Sequence, residues 1–337
     1  MLNSTTPCYF GIPSDDTLQA SIEITNKCNL LCAHCMNRSS DNDSTEIGMS
    51  WELVSTLVDE LYANNVREIY ISGGEPTKYP YFKQLVKKTH EMGFQTLIAT
   101  NAYEIEDYLE TIKQYVDIVF VSIDGIPSTH NRFRGRKDAY KKTVHNIKTL
   151  LSECIPVRIS TVVSKANLNE LEYIIDTVSQ LGVFQIHFTA MVNVGRAENA
   201  ELLMSNKEYV TIMDEIQRLK EKYEKVGFQI TTRRNGALTP DTEPCFGGKK
   251  MLHITASGII APCSYMAKCS MTQNYSMQWK PGCMKMCLKK ISSFQNLCNE
   301  RKETFGHHSC AALAFITSNN LNPLAKDPLD EIYGKTQ

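Results

Sequence analysis

Three cysteines fall within eight positions near the start of the chain: Cys28, Cys32 and Cys35 in KCNLLCAHC, residues 27–35. Thiolates at such short spacings converge on a metal centre, either zinc or iron–sulfur, and both usually take four protein ligands. A structural zinc site would complete itself with His34 or a distant cysteine. A CxxxCxxC loop can instead wrap three corners of a cubane and leave the fourth place open. Further along, ISGGEP (71–76) brings Gly73, Gly74 and Glu75 together. Two glycines let the backbone approach a ligand closely, and a carboxylate beside them can accept hydrogen bonds from an ammonium group. Taken alone, the glycine pair is a tight turn.

The totals bound what these residues can serve. A chain of 337 residues, 42% apolar and 22% charged, suffices for one large domain and a smaller one. Thirty-six basic residues against 37 acidic ones leave a net charge of −1. That gives no electrostatic case for nucleic acid or an anionic membrane as partner. No apolar run is long enough to span a bilayer, and the N-terminus lacks the basic and apolar segments of a signal peptide. A cytoplasmic protein is expected, whose 12 cysteines are reduced ligands or redox groups rather than disulfides.

Short β-branched runs alternate with amphipathic stretches and must position the motifs. The strands expected are 20–25, 68–72, 95–100, 118–124, 156–163 and 185–192. Helices such as WELVSTLVDELYANN and YFKQLVKKTHEMG lie between them, the latter stopping at Gly93. Asn167 with Glu170, and Ser205 with Glu208, have capping-box spacing. This alternation predicts an α/β fold, a partial (β/α)6 TIM-like barrel with ligands at the C-terminal strand ends. The cysteine loop follows the first strand and the glycine pair ends the second. Composition changes at 233–244, so the expected divisions are an N-terminal extension (1–19), the barrel (20–235), a small cysteine-rich domain (236–320) and a tail (321–337).

Together, CxxxCxxC after the first strand and GGEP after the second closely resemble the radical S-adenosylmethionine (SAM) superfamily. The resemblance spans residues 20–195. It implies that Cys28, Cys32 and Cys35 bind three irons of a [4Fe-4S] cluster, and that SAM takes the fourth. An electron then splits SAM, giving a 5′-deoxyadenosyl radical that takes a hydrogen atom from substrate. Gly73, Gly74 and Glu75 would receive the SAM amine. ATNA (99–102) matches the family's TNG with Ala102 in place of glycine, and offers Asn101 to the ribose. VSIDG (121–125) offers Ser122 and Asp124 as polar contacts, and Arg134 or Arg158 would pair with the SAM carboxylate. NVGRA (193–197) would line the adenine pocket with its backbone. An electron donor such as flavodoxin or ferredoxin is implied as a partner.

Seven of the cysteines lie between Cys245 and Cys310. Cys245, Gly258 and Cys263 are spaced as at the opening of SPASM and twitch domains, and the segment from Cys310 resembles their close. These domains carry auxiliary iron–sulfur clusters. The usual cysteine run before the closing residue is missing, and Asp330 stands near the last cysteine's place, so one auxiliary cluster is expected. Cys245, Cys263 and Cys310 would hold it with a fourth ligand from Cys269, Cys283, Cys287 or Cys298. The compact Cys283–Cys287 spacing favours that pair. A zinc knuckle of Cys283, Cys287, His307 and His308 is the alternative. Cys8 and Cys154 are isolated, and Cys154 is expected to be a buried thiol.

The resemblance points first to a maturase of ribosomally made peptides (RiPPs), acting by crosslinking, oxidation or decarboxylation. Small-molecule or tetrapyrrole oxidation and decarboxylation are alternatives. A molybdenum-cofactor-type cyclase fits less well, because the terminal Gly-Gly is absent. A non-enzymatic iron–sulfur electron carrier has no need of a SAM amine site. With about 19 residues before the first strand, no fused leader-recognition domain is expected, and a separate leader-peptide-binding protein would serve.

Overall fold

Each β-branched run becomes a parallel strand, and each amphipathic stretch after it packs a helix on the outer face. In chain order the elements are β1 (Leu18–Glu23), α1 (Trp51–Ala63), β2 (Val66–Ser72), α2 (Phe82–Glu91), β3 (Gln95–Thr100), α3 (Leu109–Tyr115) and β4 (Ile118–Ser122). Next come α4 (Pro127–Arg134), α5 (Ala139–Ser152), β5 (Val157–Val163), α6 (Leu171–Gln180), β6 (Gln185–Ala190), α7 (Asn206–Tyr223) and β7 (Gln229–Thr232). The C-terminal part adds β8 (Met251–Ile254), β9 (Ile259–Ala261), α8 (Thr272–Tyr275), β10 (Met277–Gln278), α9 (Met284–Ser292) and α10 (Phe294–Phe305). The structure, a computed structural model, describes residues 18–41, 48–198, 201–232, 245–268, 272–305 and 310–312.

One ten-stranded sheet runs β10-β9-β8-β1-β2-β3-β4-β5-β6-β7. Strands β1 to β7 pair in parallel with their sequence neighbours, as right-handed βαβ crossovers require. The expected α/β fold is present, with β7 added to the six strands read from the sequence. QITT is too short and polar to announce itself. β8 pairs in parallel with β1 from Gln19↔Met251 to Ile22↔Ile254, and β9 and β10 continue antiparallel. The sheet thus passes from the barrel into the cysteine-rich part.

The helices follow ordinary rules. Ser50 caps α1 by accepting from the Leu53 N–H, and Val54, Leu57, Val58 and Leu61 form its buried stripe. Ser205 and Glu208 form the expected capping box of α7. Asn167 and Glu170 do not form one. The Asn167 amide donates to the Asp124 and Val162 carbonyls, and Glu170 accepts from Ile126 N–H and the Thr129 hydroxyl. Buried carbonyls at the ends of β4 and β5 need donors more than an exposed helix start needs a cap.

Inside the barrel, Tyr70, Leu97, Ile118 and Phe120 form an apolar plug. Above it, at the C-terminal strand ends, Ser72, Ala99, Ser160 and Thr189 are small and leave open space. No helix among the described residues is long and apolar enough to cross a membrane.

Candidate active site: a thiol loop at the barrel mouth

The loop after β1 gathers Cys28, Cys32 and Cys35 with Leu30, Tyr103 and Ala139 in one packed group. Backbone contacts fix it from three sides. Ala33 N–H donates to the Phe133 carbonyl at 2.8 Å, and Gly74 and Glu75 N–H donate to Thr25 and Lys27 at 2.6 and 2.8 Å. Arg196 donates its Nε to the Cys32 carbonyl at 2.7 Å and its Nη2 to the Ser39 carbonyl at 2.8 Å. A Cβ on Gly73 would stand 2.4 Å from the Thr25 oxygen, and one on Gly74 2.2 Å from that of Lys27. The double glycine therefore lets the second strand end lie directly on the thiol loop.

A cavity of about 190 Å³ opens beside the thiols. Among the residues named from sequence, Gly73, Gly74, Asn101, Ser122 and Arg134 line it with the three cysteines. Asn101 donates its amide to Asn29 Oδ1 at 2.9 Å and lies 3.8 Å from the Cys28 sulfur. Arg134 stands 3.7 Å from the Cys32 sulfur and is ion-paired to the fully buried Asp124. Asp124 does not reach the cavity itself. Its carboxyl is lowered: burial raises it, but Arg134, His34 and His130 outweigh that.

Besides Asp124, two residues stand elsewhere than the sequence placed them. Glu75 turns away from the cavity. Its oxygens accept from the Thr100 and Thr77 hydroxyls at 2.8 and 3.1 Å and from Asn101 N–H at 2.8 Å, so it ties the GGEP turn to the end of β3. What faces the cavity in its place is the Gly73–Gly74 backbone. Arg158 sits deeper in the barrel, its guanidinium 5.8 Å from both the Phe120 and Phe184 rings. It pairs in register with Phe120, below the Ser122↔Ser160 level that meets the cavity. His34, Thr100 and Arg196 line the cavity without having been singled out as contacts. For Arg196 the NVGRA motif was the signal, but it pointed to the backbone rather than to the side chain.

Burial, with Glu75 adding its charge, pushes the Cys28 thiol up to about 12. Burial also raises Cys32 despite Arg134, and holds the His34 imidazole down to about 4. Thiols this hard to ionise become ligands when a bound cation compensates their charge. His34 Nδ1 and Arg134 Nε are buried there without a hydrogen-bond partner. Among the described residues no three His, Cys, Asp or Glu side chains converge tightly enough for a single metal ion. Thiolates that bind separate irons of one cluster stand further apart. The donor set, the glycine cradle and the open cavity therefore fit a [4Fe-4S] cluster with SAM beside it.

In the C-terminal part, Cys298 hydrogen-bonds Cys245, and Cys310 and Cys263 lie close enough to act on it; with burial, they drive its thiol upward. Cys263, Cys298, Cys245 and Cys310 share one packed group. Cys283 and Cys287 are not part of it. Their sulfurs are 3.4 Å apart, and they pack against the main barrel core instead. The cysteine packed with Cys245, Cys263 and Cys310 is thus Cys298, carried there on α10. Cys154 is exposed rather than buried, in a left-handed turn after α5. Cys8, Cys269, His307, His308 and Asp330 lie outside the described residues.

A second cavity of about 300 Å³ shares His34, Cys35, Ser72, Gly73 and Ala99 with the first, and reaches Tyr265 and His253. On its wall Glu23 meets His253 Nε2 at 3.3 Å and Lys268 at 3.2 Å. Burial raises the Glu23 carboxyl, but His253, Lys268 and Asn37 more than offset this and hold it down to about 2. The sequence reading missed this group. A lone glutamate inside an apolar strand is its only local trace.

The parallel partial barrel thus sets three thiols at one strand end against a glycine cradle at the next. The family model described as Radical SAM superfamily matches residues 22–178, and the chain carries that domain, which uses a [4Fe-4S] cluster and SAM. It is 26% identical over 268 residues to the AdoMet-dependent heme synthase of Methanosarcina barkeri, covering 72% of this chain and 76% of that protein. It is 27% identical over 253 residues to the sporulation killing factor maturation protein SkfB of Bacillus subtilis, covering 73% of this chain but 60% of SkfB. Structures of Streptococcus suis SuiB bound to SAM and to the precursor peptide SuiA superpose with TM-scores of 0.70 and 0.71 at 14% identity. They cover 92% and 93% of this chain and 76% and 75% of SuiB, a likeness of fold.

Proposed function

We propose that the protein is a radical SAM maturase that modifies a side chain of a peptide or protein. When bound at Cys28, Cys32 and Cys35, the cluster and SAM supply a 5′-deoxyadenosyl radical that abstracts a hydrogen atom. The chain's own residues orient that chemistry. The Gly73–Gly74 backbone lines the cavity beside the thiols, where it would meet SAM, and Arg134, held by Asp124, places a fixed positive charge beside Cys32. Cys245, Cys263, Cys298 and Cys310 would hold the auxiliary cluster.

The observation that carries the reading is the 300 Å³ cavity running from His34 and Gly73 to Tyr265. Its volume is at the low end for ligand sites. It suits one side chain presented by a longer chain better than a four-ring macrocycle. The likeness to SkfB and to the fold of peptide-bound SuiB points the same way. The test is anaerobic purification with iron and sulfide counting, then SAM and reductant, then mass analysis of a co-expressed precursor peptide. About eight irons, 5′-deoxyadenosine, and a peptide lacking two hydrogens or carbon dioxide are expected. Replacing Cys28, Cys32 and Cys35 with Ala should leave about four irons and abolish SAM cleavage. A colourless zinc protein that leaves SAM intact sinks the proposal.

A further inference from the structure

Reductive cleavage of SAM needs an electron from outside, and the thiol loop has one face turned outward. Leu31, between Cys28 and Cys32, is 59% exposed, although Cys28, Leu30 and Cys32 are 7%, 3% and 6% exposed. One large apolar side chain thus stands in water directly between two of the ligand positions.

Its surroundings are cationic. The α4–α5 connection lies against the loop: a Cβ on Gly135 would stand 2.8 Å from the Leu31 oxygen and 3.5 Å from its Cβ. Around that contact, Arg132, Arg136, Lys137 and Lys141 are exposed. The segment's carboxylate, Asp138, is engaged by Lys142 and the Tyr103 hydroxyl. Glu104, which accepts from Asn29 of the loop, is also engaged by Lys78. Among the described residues, those four cations have no ion pair to offset them. A net charge of −1 gives the whole molecule no pull on an acidic protein, so a local cationic patch has to supply it.

We propose that Leu31, with the exposed cations Arg132, Arg136, Lys137 and Lys141 of the segment packed against its loop, is the docking face for a small acidic one-electron carrier. The inference rests on the SAM-cleaving reading above. In the transfer, an anionic reduced flavin hydroquinone gives up one electron to become the neutral semiquinone, and no proton is released. The electron enters the cluster held by Cys28, Cys32 and Cys35, and no covalent bond forms or breaks. Leu31 adjoins the ligand Cys32 in the chain, so a carrier seated on it has a short covalent route to the acceptor.

The probe is an acidic flavodoxin, reduced to its hydroquinone, added to holoenzyme purified without oxygen. Two quantities are read at low and high salt: flavodoxin affinity by calorimetry, and the rate of 5′-deoxyadenosine release. The R136E/K137E variant should bind flavodoxin about tenfold more weakly at low salt, lose a similar factor in carrier-driven rate and show a flatter salt dependence. With dithionite, which needs no docking face, its rate should match the unaltered enzyme. K225E, on an exposed site after α7, should change neither quantity. Unaltered flavodoxin affinity and rate in R136E/K137E overturns the docking face. Failure of dithionite to release 5′-deoxyadenosine from the unaltered enzyme instead overturns the SAM-cleaving reading, and the calorimetry still decides the docking face.

Discussion

At the scale of single residues, backbone conformation explains why this site is built from glycine, and where it departs from that. Gly74 admits no side chain, because its Cβ would collide with the Lys27 carbonyl of the thiol loop. Gly74→Ala should cost about 2–4 kcal/mol in stability and lower cluster retention, read by thermal melting and iron content. Ala102 is the contrary case. It holds φ +50° at the end of ATNA, a left-handed conformation that costs a side-chain-bearing residue about 1–2 kcal/mol. Thr100 Oγ1 accepts its N–H at 3.0 Å and Asn146 donates to its carbonyl at 2.9 Å, so the turn is held in spite of the strain. Relief of that strain is offset by the extra chain entropy of glycine and by loss of a fully buried methyl, so Ala102→Gly should keep stability within about 1 kcal/mol of the unaltered protein. A fall in melting temperature as large as that of Gly74→Ala would contradict this account. Residue identity alone made the departure from TNG visible, whereas the φ behind it needed the fold.

At the scale of elements, legibility followed sequence distance. The thiol loop and the glycine pair each sit at the end of a strand whose β-branched run is unmistakable, so their meeting was readable once parallel βαβ units were recognised. The auxiliary cysteines are different. Cys283 and Cys287 share a turn of α9 and looked like a ligand pair because spacing within one helix is all the sequence displays. Cys298 is brought to Cys245 by the packing of α10 across the loops around β8 and β9, a tertiary event with no local signature. The same holds for β8, whose pairing with β1 joins the two ends of the chain, and for Arg158, whose depth follows from strand register. The consequence is measurable. Cys298→Ala should lower iron content towards about four per chain or alter the auxiliary signal in low-temperature magnetic resonance. Cys283→Ala and Cys287→Ala should leave both unchanged. If the two groups of variants exchange behaviour, α10 does not carry the ligand.

Across the whole molecule, the barrel lumen holds two buried carboxyls whose environments drive them apart. Near the mouth, Glu23 is kept ionised by His253 and Lys268 from the C-terminal part, tying the two ends of the chain together through a charge network. Deeper down, burial lifts Glu68 from 4.5 to about 8, with Gln19 and Arg158 only partly offsetting it. Because the folded value is raised, Glu68 holds its proton in the folded protein where the unfolded chain has lost it. Its contribution is complete below about pH 4.5 and declines as pH rises to about 8, by up to about 1.4 kcal/mol per unit. Glu23 has the opposite sign: its contribution is complete above 4.5 and is lost as pH falls towards about 2. Glu23 is common to both proteins, so the difference in urea unfolding between the unaltered protein and Glu68→Gln should change from about pH 4.5 to about 8. Relative to the variant, the unaltered protein should lose stability as pH rises, and the difference should level off above about 8. A constant difference across the window would mean that Glu68 is ionised in the folded barrel, with Arg158 as a full counter-ion.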